Sequence, residues 1–340
     1  MPTETLNIGL IGAGRIGRLH AENLVTRIPS ARLQMIADVN QDSARQCAQQ
    51  LGIPGVAGDY RALLENRDIQ AVLICSATDT HAEMIEAAAQ AGKHIFCEKP
   101  IALSLPAIDR SLAAVAQAGV KLQIGFNRRF DANYRRVRQA IEQGEIGEIA
   151  LLHIISRDPA PPPISYIRVS GGIFLDMTIH DFDMARFLAG SEVEEIYASG
   201  AVRVDPAIGE AGDLDTVLVV LKFANGAIGT IDNSRRAAYG YDQRVEVLGS
   251  IGAISIGNNY PNTAVLSDAQ SVRRDLPLHF FLERYTESFV AELKAFVDAV
   301  LHDQPVPVTG ADARAPVVMA LAARKSYDEN RPVRLSEIGG

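Results

Sequence analysis

The segment Gly171-Gly172-Ile173-Phe174-Leu175-Asp176-Met177-Thr178-Ile179-His180-Asp181-Phe182-Asp183 carries the residue types best suited to chemistry. A double glycine ends a loop, and the pattern predicts one helix from about Phe174 to Ala189. Four residues separate Asp176 from His180, so on a single helix they share one face, and Asp183 follows one turn later. An imidazole beside a carboxylate is a general base able to work near neutral pH. Asp183 also has Arg186 three residues on, the spacing of a structural ion pair. An Asp/His pair can begin a metal site, but no further ligands stand at recognisable spacing, so no metal is expected.

The elements that position such a group come from a chain of 340 residues, a length that suits two domains. With 47% apolar and 22% charged residues it reads as globular. A formal net charge of −8 argues against nucleic acid or an anionic membrane as partner. No apolar run is long enough to span a bilayer, and Met1-Pro2-Thr3-Glu4-Thr5 has no signal-peptide character, so a cytoplasmic location is expected. Cys47, Cys75 and Cys97 lack zinc-site spacing and read as reduced thiols.

Residues 1–125 alternate strands and helices, beginning with the strand Leu6–Ile11 and a helix from Arg15 to about Arg27. Strict alternation gives a parallel, doubly wound sheet. Residues 126–340 read differently, as a second, α+β domain. From Glu195 to Ile256 extended segments follow one another without a helix, separated by turns at Asn225-Gly226 and Ser250-Ile251-Gly252. They predict a large open, mainly antiparallel sheet with helices on one face. Its other face needs a cover, for which a second copy of the chain is suited. Helices are expected from about Tyr285 to Leu301 and Gly310 to Glu329.

Gly12-Ala13-Gly14-Arg15-Ile16-Gly17 is a G-x-G-x-x-G placed after a strand and at the start of a helix. Gly12 permits the turn, Gly14 lets the backbone approach a pyrophosphate, and Gly17 lets helix and strand pack closely. Asp38 ends the second strand, where a carboxylate accepts from the adenosine ribose hydroxyls. A ribose phosphate would meet that charge, and Val39-Asn40-Gln41 offer no arginine, so NAD is expected rather than NADP. Ligands of such sheets lie outside the carboxyl ends of the strands, which adds Ser76, Thr78, His81, Glu98 and Lys99 as cofactor-binding candidates. Thr78 to His81 also suits a helix cap, and Glu98-Lys99 a solvated charge pair.

The glycine motif, Glu98-Lys99-Pro100 and Gly171-Gly172…Asp176-x-x-x-His180 together resemble the glucose-fructose oxidoreductase/inositol dehydrogenase family over essentially the whole chain. Gly125-Phe126-Asn127-Arg128-Arg129-Phe130-Asp131, Ser156-Arg157-Asp158-Pro159 and Tyr239-Gly240-Tyr241-Asp242 look like its bacterial inositol 2-dehydrogenase branch. The resemblance implies an N-terminal Rossmann domain, a C-terminal domain with a large open sheet, and NAD-dependent oxidation of a ring hydroxyl. It also implies a catalytic Lys, Asp and His, here Lys99, Asp176 and His180, and pairing through open sheets into a homo-oligomer, with a tetramer favoured.

On this reading His180 takes the proton of a secondary alcohol, Lys99 donates to the reacting oxygen, and Asp176 orients the imidazole or binds a neighbouring hydroxyl. A polyol is uncharged and ringed by hydroxyls, so its site needs many hydrogen-bonding side chains. Asn127, Arg128, Asp158, Tyr239 and Tyr241 supply them, although Arg128-Arg129 also suits a solvated basic pair. The expected reaction is myo-inositol to an inosose, within inositol catabolism. The alternatives are scyllo-inositol or an aldose as substrate, or a non-catalytic dinucleotide-binding regulator.

Overall fold

A computed structural model of the protein describes residues 5–339; the N-terminal stretch read above for signal character lies outside them but for Thr5. The chain forms two compact units. One comprises the residues up to Asn127 together with Glu287–Ala315, the other Arg128–Thr286 together with the residues from Pro316 on.

The first unit holds six strands: β1 (Leu6–Ile11), β2 (Ala31–Ala37), β3 (Gly55–Ala57), β4 (Ala71–Ile74), β5 (His94–Glu98) and β6 (Leu122–Gly125). All pair in parallel, in the order β3-β2-β1-β4-β5-β6. The central strands are buried on both sides, which is why Ala71-Val72-Leu73-Ile74 reads as an unbroken apolar run. The short edge strand β3 carries too little pattern to be foreseen. The helix Thr286–Leu301 buries Leu293, Phe296 and Val297 in the same core as Ile8, Leu10 and Phe96. Its segment thus packs with the first unit, although the change in pattern after residue 125 places it in the second domain.

The second unit is built on β7 (Ile149–Arg157), β8 (Val193–Ala201), β9 (Thr216–Phe223), β10 (Ile228–Ser234), β11 (Asp242–Gly249) and β12 (Ala253–Ile256). A small hairpin, β13 (Val265–Ser267) with β14 (Val272–Arg274), stands apart, and β15 (Val333–Arg334) closes one edge. The large sheet runs β12-β11-β7-β10-β9-β8-β15. Every neighbouring pair is antiparallel except β10 with β7. One short helix, Pro206–Glu210, does interrupt the run of strands, capped by Asp205 accepting from the Ala207 amide. Burial alternates strictly along β9, so one face is core and the other open. Leu248, Leu151 and Ile228 stand side by side on that open face in register, 42%, 48% and 45% exposed. No helix among the described residues is long and apolar enough to cross a membrane.

The helix expected over Phe174–Ala189 is broken. Ile173–Asp176 and Ile179–Ala189 are separate helices, with Met177 and Thr178 between them. The Thr178 amide bonds five residues back to Ile173, whereas those of His180 and Asp181 bond three back to Met177 and Thr178. The four-residue ladder on which simple stacking of Asp176 and His180 depends is therefore interrupted.

Candidate active site

In the first unit the loops after β1, β2, β4, β5 and β6 leave one edge of a single parallel sheet. The strand order reverses between β1 and β4, the place where ligands of such sheets bind. The three glycines perform separate tasks. Gly12 has φ +98°, and a Cβ on it would lie 2.6 Å from the Cys75 carbonyl oxygen. A Cβ on Gly17 would lie 1.9 Å from the Gly12 carbonyl oxygen. A Cβ on Gly14 would meet nothing within 4 Å, so its side is open. The helix Arg15–Arg27 starts there with no side-chain cap and no acid in its first turn. Its free amides and dipole suit a pyrophosphate. Arg15 is exposed, Ile16 half-buried and Ala13 buried.

Asp38 is already engaged with this loop. Its Oδ2 accepts from the Ala13 amide at 2.6 Å and its Oδ1 from the Asn40 amide at 2.7 Å. The carboxylate therefore fixes the glycine turn. Ser76 Oγ lies 2.7 Å from Thr80 Oγ1, and the helix Thr78–Gln90 begins without a side-chain cap, which removes the capping role considered for Thr78. His81 is 1% exposed, with Nδ1 2.8 Å from the Pro100 carbonyl and Nε2 3.1 Å from that of Ser76. It joins two strand-end loops, each ring nitrogen lying beside a backbone carbonyl. Glu98 turns its carboxylate to His20, at 2.6 Å from Nε2, and its side chain is mostly buried. Lys99 is half-buried beyond β5, and Asn127, after β6, is 4% exposed.

In the second unit Asp176 accepts from two sides. Tyr166 Oη donates to Oδ1 at 2.9 Å and Arg235 Nη1 to Oδ2 at 3.0 Å. Arg235 is 1% exposed, and its Nη2 donates to Asp213 Oδ2 at 3.3 Å. Asp213 Oδ1 accepts from the Ile173 amide at 2.9 Å, and a Cβ on Gly172 would lie 2.8 Å from that oxygen. The double glycine is thus needed twice over: both residues have φ +84°, and Gly172 gives Asp213 room to hold the helix start. His180 is half-buried in the first turn of the following helix.

Two buried ion pairs secure that helix. Arg128 Nη1 donates to Asp181 Oδ1 at 2.5 Å, with Arg128 4% and Asp181 0% exposed. Arg129 donates to both oxygens of Asp183 at 2.6–3.0 Å. Arg128-Arg129 is therefore not a solvated basic pair. Nor does Asp183 pair with Arg186, which donates instead to Glu192. Each arginine of the turn finds the aspartate that brings its charge into balance inside the protein.

Asp158 lies within electrostatic reach of Asp176, Arg235, Arg128 and Asp181; burial and then the Asp176 charge push its carboxyl up to about 7. Tyr241, 6% exposed, joins the same neighbourhood with its hydroxyl 3.5 Å from Arg128 Nη2. Tyr239 does not. It is 40% exposed, donates to Asp242 at 2.6 Å and accepts from Arg157. The structure thus gathers Asp176, Asp158, Arg128 and Tyr241 in one region and sends Tyr239 to another. Sequence reasoning missed Arg235, Asp213, Tyr166 and Asp181. Of these only Asp181, buried within the Gly171–Asp183 segment, gave a local signal.

Residues 6–126 match the oxidoreductase family with an NAD-binding Rossmann fold, and residues 134–255 match the GFO/IDH/MocA C-terminal domain. The chain belongs to the GFO/IDH/MocA family. Within it, the chain is 52% identical to a myo-inositol 2-dehydrogenase of Thermotoga maritima, over 98% of this chain and 100% of that one. It is 46% identical to an inositol 2-dehydrogenase of Rhizobium meliloti, again over 98% and 100%. A crystal structure of scyllo-inositol dehydrogenase from Lactobacillus casei with bound NAD(H) and scyllo-inositol is similar with a TM-score of 0.92. That protein is 34% identical, over 98% of this chain and 100% of that one. The GFO/IDH/MocA architecture, a parallel Rossmann sheet followed by a mixed sheet, is the one described above.

Proposed function

We propose that the protein is an NAD-dependent dehydrogenase that oxidises a ring hydroxyl of myo-inositol to an inosose. The observation that carries this reading is the loop Gly12–Gly17 with Asp38 on the Ala13 amide, in a chain 52% identical to a myo-inositol 2-dehydrogenase. NAD, when bound, supplies the hydride acceptor. The amides at the start of Arg15–Arg27 hold its pyrophosphate, Asp38 its ribose, and Ser76 and Thr78 line the neighbouring strand end.

The chain's own residues handle the alcohol. His180 takes the hydroxyl proton as the C–H bond gives up its electron pair and the C=O bond forms. Lys99 donates to the reacting oxygen and stabilises its alkoxide character. Asp176, kept in place by Arg235 and Tyr166, binds a substrate hydroxyl. Asn127, Arg128, Asp158 and Tyr241 are the further polyol-binding candidates; Tyr239, committed to Asp242 and Arg157, is the weakest of the set.

A second reading, scyllo-inositol as substrate, is favoured by the likeness to the Lactobacillus casei enzyme. Initial rates of NADH formation on myo-inositol, scyllo-inositol and glucose separate the two readings, and no NADH from any of them would overturn both. We infer further a cytoplasmic enzyme of inositol catabolism, consistent with three buried cysteines in no disulfide. The open apolar sheet face supports a homo-oligomer, with a tetramer favoured.

A further inference from the structure

Glu292 is a fully buried acid that the proposed chemistry does not use. It is 0% exposed, and neither carboxylate oxygen has a hydrogen-bond partner. It lies on the helix Thr286–Leu301, where its backbone carbonyl accepts from Gln123 at 2.8 Å. His20 comes from the helix Arg15–Arg27 and Glu98 from the end of β5. One side-chain atom from each of His20, Glu98 and Glu292 lies within 4.8 Å of the other two. A side chain on Gly125, at the end of β6, would meet the Glu98 carboxylate at 3.1 Å, so glycine there makes its room. The His20 ring is held edge-on by Phe96 and Phe289, with centroids 5.4 and 5.8 Å away. Cys75 and Cys97 are the other titratable groups facing the cluster, and burial pushes both thiols well above their ordinary value.

A cation or a proton can neutralise such a cluster. The 2.6 Å between His20 Nε2 and Glu98 Oε1 is a hydrogen-bond distance. Two ligands of one tetrahedral ion, with bonds of about 2.0–2.1 Å, stand about 3.3 Å apart. The geometry therefore favours the proton. A carboxylate without a partner, in an apolar interior and near a second carboxylate, takes up a proton rather than stay charged.

We propose that Glu292 is held in the fold as a neutral carboxylic acid beside the His20–Glu98 pair. Keeping Glu292 neutral leaves one negative charge in the cluster, and Glu98 keeps its bond to His20. Burial, then the Glu98 charge, push the Glu292 carboxyl well above its ordinary value of 4.5. The folded protein therefore holds a proton that the unfolded chain releases, and the stability this gives is complete below 4.5 and declines as pH rises.

The test compares wild type, Glu292→Gln and Glu292→Leu as full chains. Glutamine keeps the shape and a donor but cannot ionise. Melting curves between about pH 5 and about pH 9 should show Glu292→Gln gaining on wild type steadily as pH rises. A Glu292→Gln protein less stable than wild type at alkaline pH, or one metal ion per wild-type chain that this variant loses, would overturn the neutral-acid assignment. Side-chain NMR should show the His20–Glu98 proton retained in both variants, since neither carries a charge at position 292; its loss in Glu292→Gln would overturn the assignment. The melting and NMR arms need no substrate, so a protein that oxidises no polyol would overturn the proposed reaction while the role of Glu292 is still decided.

Discussion

Arg235 Nη1 donates to Asp176 Oδ2 at 3.0 Å from a position only 1% exposed, and its other terminal nitrogen reaches Asp213. One guanidinium thus ties the carboxylate to the residue that holds the start of its helix. Lysine keeps the charge but has no fork to span both acids. Arg235→Lys should lower kcat/KM about tenfold or more with NAD affinity unchanged. Arg235→Gln should also destabilise the protein by about 3 kcal/mol, because two acids lose a buried partner. Steady-state rates with urea unfolding check both, and full activity in Arg235→Gln would remove this pair from the mechanism.

His180→Ala should lower kcat by about 10²–10⁴-fold, the range for loss of a general base, while NAD binding survives. Titration with NAD alongside turnover measures the two effects separately. Normal turnover in the variant would exclude His180 as proton acceptor.

Asp158 is pushed up to about 7 by burial and by Asp176. Its folded value lies above the unfolded one, so its contribution to stability is present below 3.8 and is lost as pH rises through about 7. Asp158→Asn cannot ionise and should gain stability relative to wild type across that window, by at most about 4 kcal/mol. Urea unfolding at a series of pH values checks this, and a difference that does not vary with pH would show Asp158 to be ordinary.

Local pattern carried much of this fold. The helix Arg15–Arg27 and the glycine turn before it were legible because their signals lie within a few residues of one another. The break at Met177–Thr178 was not, because nothing in Phe174–Ala189 disfavours a continuous helix. The segment is held instead by Arg235, Asp213, Arg128 and Arg129, partners brought in by distant parts of the chain. For the same reason the ion pairs of Arg128 and Arg129 gave no local signal: each partner is a buried aspartate far along the chain. Glu98, a cofactor-binding candidate by its place at a strand end, gave no local sign of its bond to His20, which comes from the first helix.

Asp38 bonds the Ala13 and Asn40 amides, so its replacement should act on both loop and ligand. Asp38→Ala should weaken NAD about tenfold and narrow the preference for NAD over NADP, because a ribose phosphate no longer meets a carboxylate. Losing the Ala13 bond should cost about 1 kcal/mol of stability without cofactor. Binding titrations with both dinucleotides and unfolding of the ligand-free protein separate the effects. Unchanged NAD binding would show that Asp38 serves the turn alone.

The row Leu248–Leu151–Ile228 on the open sheet face tests assembly. A two-fold pairing of sheets presents each substituted side chain twice at one interface. Leu151→Glu with Ile228→Glu would therefore place at least four carboxylates against apolar surface, without touching the core face of the strands. If the proposed oligomer forms through this face, sedimentation should show a smaller species than wild type, with unchanged circular dichroism. The charges point away from the buried face, so a folded but smaller species isolates assembly from folding. An unaltered sedimentation coefficient would mean that this face is open in the native protein, and the contacts of any oligomer would have to lie elsewhere.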